Sequence, residues 1–227
     1  MAKIEAGLYR GTIGDKTYSI DPKTRKQIVR QYKSKVKNPR TPAQQSRRSN
    51  FGLISTLSSK MTEAHKIGLH IYAQRHKLYT YTAFRSLNSQ CFTPEGEIDF
   101  PNLTLSSGNI APIAITSVHL DTPADNLQSD NIQSTNLPAT NLQSDNLLHI
   151  TYDPNLPLAN ASPDDQLFLF AYCHTLQAGR LFGPYPRPAA SIAIPLPSEW
   201  PSAHTHLYAF LRGKRLQTSN TIYIPLP

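Results

Sequence analysis

The chain has 227 residues, of which 39% are hydrophobic and 17% are charged, and it contains 19 prolines. So much proline argues against a mainly helical protein. The longest apolar run, residues 167–173, is too short to cross a bilayer, and acidic Glu5 stands where a signal peptide would be positively charged. We therefore expect a soluble, cytoplasmic protein that does not contact membranes.

The positive charge is concentrated at one end of the chain. Residues 1–90 contain 18 Lys and Arg against four acids, a net charge of +14, whereas residues 91–227 contain five against eleven, a net charge of −6. The electrostatic field of such an uneven charge distribution attracts polyanions to the first part of the chain and not to the second. The charge pattern therefore suggests two parts with different functions.

Residues 1–40 are predicted to form a basic β-hairpin region. Turn residues stand at 14–15 and 21–22, and Tyr18 and Val29 are residue types that favour strands. The region contains too few apolar residues to be stable by itself. We expect it to pack against the helices that follow or against a partner.

The sequence KNPRTPAQQSRR, residues 37–48, predicts the start of a helix. Thr41 is the expected N-cap, Pro42 suits the first helical position, and Gln44 can reach back to the cap. Apolar residues follow at spacings of three and four, which indicates an amphipathic helix: Phe51, Ile54, Leu57 and Met61. With a second helix over 62–72 and a third over 78–88, residues 41–92 are predicted to be a short helical segment.

The rest of the chain predicts β-structure. Residues 93–109 are rich in turn residues and are interpreted as a linker. Over residues 110–227, six or seven short alternating segments are separated by Pro, Gly, Asp and Asn, which is typical of an immunoglobulin- or fibronectin-like antiparallel β-sandwich. The predicted fold class is therefore α+β: a basic N-terminal β-hairpin region and short helices, followed by this sandwich.

A repeat interrupts the predicted sandwich. From residue 126 to residue 146 an Asn recurs every five residues, each followed by Leu or Ile, within a pentapeptide-like insertion over residues 125–149. Pentapeptide repeats build a square β-helix, but five units make little more than one coil, and stacked repeats need about three to bury a core. A decorated loop is therefore favoured, and a partial coil resting on the sandwich is the alternative.

Residues arranged for catalysis or metal binding are not found in the sequence. It contains no phosphate-binding glycine loop, no nucleophile motif, and no CxxC or HExxH. His204 and His206 share a strand face, but no cysteine or carboxylate stands at ligand spacing beside them. Asp164 and Asp165 lie in a turn and are interpreted as solvated, the histidines of the helical segment as surface residues, and the two cysteines as buried, reduced thiols. We expect a protein that is not an enzyme, with no cofactor, no metal site and no small-molecule substrate.

The basic N-terminal part carries the one positive indication of function. Eight cations lie within residues 23–40 with a Tyr among them, and two more follow on the first turns of the predicted helix. Such a density of cations suits phosphate groups, and aromatic rings stack on unpaired bases, whereas the alternative is a solvated surface without a ligand. The candidate residues for binding nucleic acid or another polyanion are Lys23, Arg25, Lys26, Arg30, Tyr32, Lys33, Lys35, Lys37, Arg40, Arg47 and Arg48.

The segment VKNPRTPAQQSRRSNFGLIS, residues 36–55, resembles the hallmark of an uncharacterised Bacteroidota protein family. In that family a basic β-hairpin region leads through an NPRTPAQQ-type motif into short helices and a β-sandwich, and IGLHIY, YTAF and SNTIYI resemble its later landmarks. The hairpin of this chain is less glycine-rich and lacks an expected Trp, and the pentapeptide-like stretch looks like an insertion. The resemblance implies an architecture and a taxon but no activity, and similar motifs in phage-associated proteins favour an assembly role.

Two functional hypotheses follow from the sequence. In the first, a non-catalytic binding protein contacts a polyanion, above all nucleic acid, through its cationic N-terminal part, and the sandwich mediates protein interaction. In the second, the chain is a structural or adaptor subunit of a multi-subunit assembly, of phage or mobile-element origin, that completes its core by contact with neighbouring subunits. Salt-dependent binding of nucleic acid favours the first hypothesis.

Overall fold

The structure is a computed structural model that describes residues 3–5, 8–33, 40–93, 95–121, 146–156, 158 and 160–227. The chain forms two compact units, residues 1–44 and residues 45–227. The predicted insertion lies outside the described residues as far as residue 145, so both interpretations of it stay predictions.

The first unit is a four-stranded antiparallel sheet in the order β1-β2-β3-β4. A two-residue turn joins β2 to β3, and its Gly14 takes a φ of +58°, a conformation that favours glycine. The predicted β-structure of this region is therefore present. Its strands are β1 (Lys3–Glu5), β2 (Leu8–Ile13), β3 (Lys16–Ile20) and β4 (Gln27–Gln31).

The two faces of this sheet differ in chemistry. Tyr18 pairs with Val29 across the strands, and the ring of Tyr9 lies 5.7 Å from the ring of Tyr18 on the same face. Arg30, one residue beyond Val29, lies on the opposite face because successive side chains of a strand alternate. Within residues 8–33 and 40–44 of this unit no residue is buried. The residues of the first unit whose burial the structure describes therefore form a sheet without a core of their own.

Helices follow the first sheet. The first begins at Pro42, as the sequence predicts, and the backbone N–H of Gln44 donates a long hydrogen bond of 3.4 Å to Thr41 Oγ1. The reciprocal half of the predicted cap is not formed, since the buried Gln44 Oε1 has no hydrogen-bond partner among the described residues. The helices are α1 (Pro42–Lys60), α2 (Thr62–Gly68), α3 (His70–Arg75) and α4 (Thr80–Asn88).

Two antiparallel sheets complete the second unit, so the chain combines helices with antiparallel sheets, as the predicted α+β class requires. The larger sheet has the order β11-β10-β7-β8, and the smaller one has the order β5-β6-β9. Their strands are β5 (Ala114–Asp121), β6 (Asn146–Asp153), β7 (Gln166–Cys173), β8 (Ala178–Pro186), β9 (Ser191–Leu196), β10 (Thr205–Arg212) and β11 (Ile222–Ile224).

The helices and the two sheets form three layers with two cores. The core between the sheets contains one alternating set of β7, Leu167, Leu169 and Ala171, packed with residues of β6 and β9. The other set, Phe168, Phe170 and Tyr172, packs against helix residues such as Met61 and Phe84. Strands β7 and β10 are therefore buried on both faces and form the central layer.

The segment interpreted as a linker, residues 93–109, contains buried residues. Leu103, Leu105 and Ser106 are at most 2% exposed. The hydroxyl of Ser106 donates a hydrogen bond of 2.6 Å to the carbonyl of Ser219, and its oxygen also lies 3.2 Å from the carbonyl oxygen of Gly68. These contacts tie the end of α2 to the segment that precedes β11, so residues 103–106 pack as part of the second unit.

Several local expectations are wrong. Phe51, expected on the buried side of α1, is 59% exposed. The predicted second helix is broken at Leu69 into α2 and α3. His65, expected at the surface, is buried, and one of its ring nitrogens lies 3.0 Å from the carbonyl oxygen of Ser58. Strand β8 has no counterpart in the sequence prediction.

None of the described helices is both long enough and apolar enough to cross a membrane.

Candidate functional site

The turn between β3 and β4 gathers three of the candidate cations. Asp21 builds this turn: its carboxylate accepts a hydrogen bond of 2.9 Å from the backbone N–H of Lys23 and one of 2.8 Å from the hydroxyl of Thr24. The same two hydrogen bonds hold the pKa of the Asp21 carboxyl below its usual range. The turn therefore presents the exposed residues Lys23, Arg25 and Lys26 around one ionised carboxylate.

The other candidate residues of the first unit follow along and beyond β4. Arg30 is exposed on the strand, and Lys33 and Tyr32 are exposed just after it. The backbone N–H of Tyr32 donates a hydrogen bond of 2.5 Å to the carbonyl of Asp15, which fixes this end against the β2–β3 turn. Arg40 is exposed immediately before α1. Lys35 and Lys37 lie outside the described residues.

The first unit carries the net charge of the whole chain. Residues 1–44 contain eleven Lys and Arg against three Asp and Glu, a net charge of +8, and residues 45–227 contain twelve of each, a net charge of zero. Every described Lys and Arg over residues 8–33 is exposed, as Tyr9 is at 44% and Tyr32 at 49%. A polyanion approaching the first unit therefore meets exposed cations and exposed aromatic rings.

The comparisons with known proteins identify the family. A family model matches residues 19–225 of the chain. The chain belongs to DUF6266, a family of unknown function. No curated protein and no solved structure matches it.

The DUF6266 match includes the cationic turn and leaves out strands β1 and β2. It begins at residue 19, inside β3, and so covers Lys23, Arg25, Lys26 and Arg30, whereas β1 and β2 lie before it. The family gives no activity for these residues, and the Bacteroidota origin of the chain stays a prediction.

Arg47 and Arg48, the two candidates on α1, belong to the second unit of this DUF6266 chain. Both are exposed, and Arg47 lines a groove of about 680 Å³ between α1 and α4. The other polar and aromatic residues of this groove were missed in the sequence, because Phe51 was expected in the core and Arg85 was not considered. The spacing of α1 and α4 along the chain does not reveal that their side chains face each other.

Three histidines meet at one end of the larger sheet. His174 Nδ1 lies 3.0 Å from His206 Nε2, and His206 Nδ1 lies 3.1 Å from the hydroxyl of Tyr223. The ring of Phe100 stacks on that of His206 with 3.9 Å between centroids. Burial, together with His174 and His204, lowers the pKa of His206 to about 4, so this ring is neutral at pH 7.

The histidine cluster does not have the arrangement of a metal site. Within the described residues no group of three or more His, Cys, Asp or Glu side chains could hold a metal ion. The sequence predicted that His204 and His206 share a strand face, but only His206 lies on β10, and His204 ends a short 3-10 helix just before it. His174 was missed in the sequence and meets them because β7 and β10 are antiparallel neighbours.

The interpretation of Asp165 as a solvated turn residue is wrong. Its carboxylate is buried and lies 3.0 Å from Nη1 of Arg187, which is fully buried. The same guanidinium donates hydrogen bonds to the carbonyls of Pro154 at 2.6 Å and Pro112 at 3.3 Å. This pair joins the loops at one end of the two sheets, whereas the neighbouring Asp164 is exposed and bonds to Lys214.

Proposed function

We propose that the protein is a non-catalytic binding protein whose N-terminal unit holds nucleic acid. The observation that carries this proposal is the confinement of the net charge of +8 to residues 1–44, a unit whose described residues bury no core. Charge that contributed only to solubility would have no reason to concentrate on the part of the chain that lacks a core. Eleven cations against three acids in one unit instead favour a polyanionic partner.

Single-stranded nucleic acid is the form that suits this unit best. Lys23, Arg25 and Lys26 on their turn supply cations for phosphate groups. The rings of Tyr9 and Tyr18 lie side by side on one face of the sheet and offer stacking surfaces to unpaired bases. A double helix keeps its bases stacked on each other and could use only the cations.

The second unit is proposed to mediate protein interaction through an immunoglobulin- or fibronectin-like sandwich. Its three-stranded and four-stranded sheets share one core, and consecutive strands cross between them, which supports that fold type. Among the described strands β5 lies at an edge of the order β5-β6-β9, and half of its residues are exposed. The unpaired backbone groups of an edge strand can accept a strand from another protein.

A charge-neutralised variant tests nucleic-acid binding. Changing Arg25, Lys26, Arg30 and Lys33 together to Ala removes four exposed cations of the first unit. We expect this variant to bind a labelled single-stranded oligonucleotide far more weakly than the wild-type chain at low salt, measured by fluorescence anisotropy, because four of the proposed phosphate contacts are removed.

The matched control removes four exposed cations of the second unit, namely Lys60, Lys66, Arg75 and Lys77. Each set contains one residue of left-handed conformation, Arg25 with φ +57° and Lys77 with φ +55°, so the two variants carry equal backbone strain and equal net charge. Retained binding in the first variant, or equal loss in both, contradicts the proposal.

A structural or adaptor subunit, of phage or mobile-element origin, is the second candidate function. It is favoured by the apolar face of the first sheet, on which Tyr9 and Val29 are 44% and 51% exposed, because a sheet without a core needs a partner. Light scattering across a wide range of protein concentration tests this candidate. Concentration-dependent assembly supports it, and a stable monomer at every concentration contradicts it.

A further inference from the structure

A groove in the second unit has the chemistry of a ligand site that the N-terminal charge does not explain. It lies between α1 and α4, has a volume of about 680 Å³, and is lined by residues that include Arg47, Asn50, Phe51, Tyr81, Arg85 and Phe92. This volume is within the range of sites for small organic molecules. All residues that line the groove belong to residues 45–227, so it shares no residue with the cationic turn of the first unit.

Arg85 is held in the groove by two aromatic rings. Its guanidinium carbon lies 5.1 Å from the centroid of Phe51 and 5.0 Å from the centroid of Tyr81. Both rings are strongly exposed, Phe51 at 59% and Tyr81 at 44%. The rings orient the cation. Phe51 leaves more than half of its surface open to stacking, whereas Tyr81 also stacks on Tyr79 with 5.5 Å between ring centroids and leaves a smaller part open.

The charge of the groove is positive and is not balanced at the site. Arg47 and Arg85 both line it, and no Asp or Glu does so among the residues that the structure describes. Two guanidinium groups beside exposed rings favour a ligand that has an anionic group and a planar or apolar body.

Two polar atoms of the groove residues lack hydrogen-bond partners. The amide nitrogen of Asn50 donates a hydrogen bond of 2.9 Å to the carbonyl of Thr93, which directs Oδ1 away from that bond. This Oδ1 and Nε of Arg85 are both buried, and neither has a partner within the described part of the chain. A buried acceptor and a buried donor left unpaired are costly, so their presence here points to a ligand that supplies one group of each kind.

We propose that this groove binds a nucleotide, with its phosphate on Arg47 and Arg85 and its base against the rings of Phe51 and Tyr81. The base supplies a donor for Asn50 Oδ1, since every base except thymine and uracil has an exocyclic amino group and those two have a ring N–H. A phosphate oxygen supplies an acceptor for Arg85. The nucleotide is either free or part of a strand, because both present the same base and phosphate.

The test measures four probes against the full chain by calorimetric titration. Adenosine monophosphate has both parts of the ligand, adenosine has only the base with its sugar, and ribose phosphate has no base. A single-stranded deoxyadenosine decamer has the same base within a strand. We expect adenosine monophosphate, the decamer or both to bind more tightly than adenosine and ribose phosphate. Binding of adenosine monophosphate identifies a free nucleotide as the ligand. Binding of the decamer alone identifies a strand if the groove variants weaken it, and it refutes the groove site if they do not, because the first unit is proposed to bind the same decamer.

Variants of the groove residues assign the binding to the groove. Arg85→Gln removes the charge, and Phe51→Ala removes an exposed ring whose loss costs the core little. We expect each to weaken nucleotide binding about tenfold or more, because charge-assisted hydrogen bonds and base stacking have this magnitude. Arg180→Gln is the matched control: Arg180 also lies over an aromatic ring, 5.2 Å from the centroid of Phe182, but it does not line the groove.

The outcomes separate this proposal from the one on the first unit. If ribose phosphate binds as tightly as adenosine monophosphate, if no probe binds, or if Arg85→Gln and Phe51→Ala bind like Arg180→Gln, the nucleotide site is refuted. The variant lacking the four cations Arg25, Lys26, Arg30 and Lys33 should bind adenosine monophosphate normally. If this variant binds the decamer weakly but adenosine monophosphate normally, both proposals are supported. If it binds the decamer as tightly as the wild-type chain, only the proposal on the first unit is overturned.

Discussion

The two units of the chain divide charge and burial between them. Residues 1–44 carry a net charge of +8, and their described residues bury nothing, whereas residues 45–227 are neutral and bury two hydrophobic cores. A core stabilises a fold whatever its ligand, whereas exposed charge repels itself and is stabilised by an oppositely charged partner. The difference supports the proposal that the second unit provides stability and that the first unit binds nucleic acid.

A pair of substitutions, one in each unit, tests this division with the largest expected effect. Phe210 of β10 is fully buried and stacks on Phe168 with 5.7 Å between ring centroids. Phe210→Ala should lower the free energy of unfolding of the second unit by about 4 kcal/mol, because it removes buried surface and leaves a cavity. Val29→Ala, at a 51% exposed site of the first unit, should change it by less than about 0.5 kcal/mol.

Urea unfolding followed by the fluorescence of Trp200 measures both variants. This Trp is the only one in the chain and lies in the core between the two sheets, so it reports on the second unit alone. If Phe210→Ala and Val29→Ala lower the free energy of unfolding equally, the first unit contributes as much to stability as the second. That result would contradict the proposed division between the units.

Charge has a different role where it is buried. Arg187→Met leaves the Asp165 carboxylate buried without its cation and should cost about 3 kcal/mol in the same Trp200 assay. Lys214→Ala is the control, since it removes an exposed ion pair with Asp164 and should cause no measurable loss. Neither change should affect binding of an oligonucleotide to the first unit. Wild-type stability of Arg187→Met would contradict the structural role assigned to the buried pair.

The stability of the second unit should also depend on pH, since it contains His206 and His65, whose pKa values are lowered by burial. The pKa of His206 is lowered from 6.5 to about 4, so between these values the unfolded chain binds more protons than the folded one. Stability should therefore fall as the pH decreases from about 6.5 towards 4, by on the order of 2 kcal/mol from this half-buried ring. Burial lowers the pKa of His65 and acts in the same direction.

Unfolding at several pH values between 7.5 and 4.5 checks this dependence. His206→Gln should have a shallower decline than the wild-type protein, and His76→Gln, at an exposed position, should decline like the wild type. An equally steep decline in His206→Gln would exclude its ring as a source of the pH dependence.

The sequence predicts the features that depend on neighbouring residues. The alternation of Leu167 and Leu169 with Phe168 and Phe170 predicts a strand, and Pro42 predicts where α1 begins. Alternation alone does not reveal that both sets are buried, because that depends on the helices covering the outer face of the larger sheet. Strand β8 was missed since its prolines and glycines are typical of loops.

The functional features likewise fall into those set by neighbouring residues and those set by the packing of distant elements. The cations of residues 23–40 are visible in the sequence because they are close together along the chain. The groove of Arg47 and Arg85 and the cluster of His174 with His206 need the packing of distant elements, and no local pattern shows which side chains that packing brings together. Asp165 likewise looks like a solvated turn residue until Arg187 is placed beside it.

The central claim is that the first unit binds nucleic acid through its charge, and the salt dependence of binding tests it most directly. The affinity for a single-stranded oligonucleotide is measured from about 50 to 200 mM salt, a range over which phosphate contacts weaken strongly. We expect log K to fall linearly with log salt concentration, with a slope that is shallower by about 3 when Arg25, Lys26, Arg30 and Lys33 are changed to Ala, and unchanged when Lys60, Lys66, Arg75 and Lys77 are. A wild-type slope near zero, or the same slope in both variants, would contradict the claim.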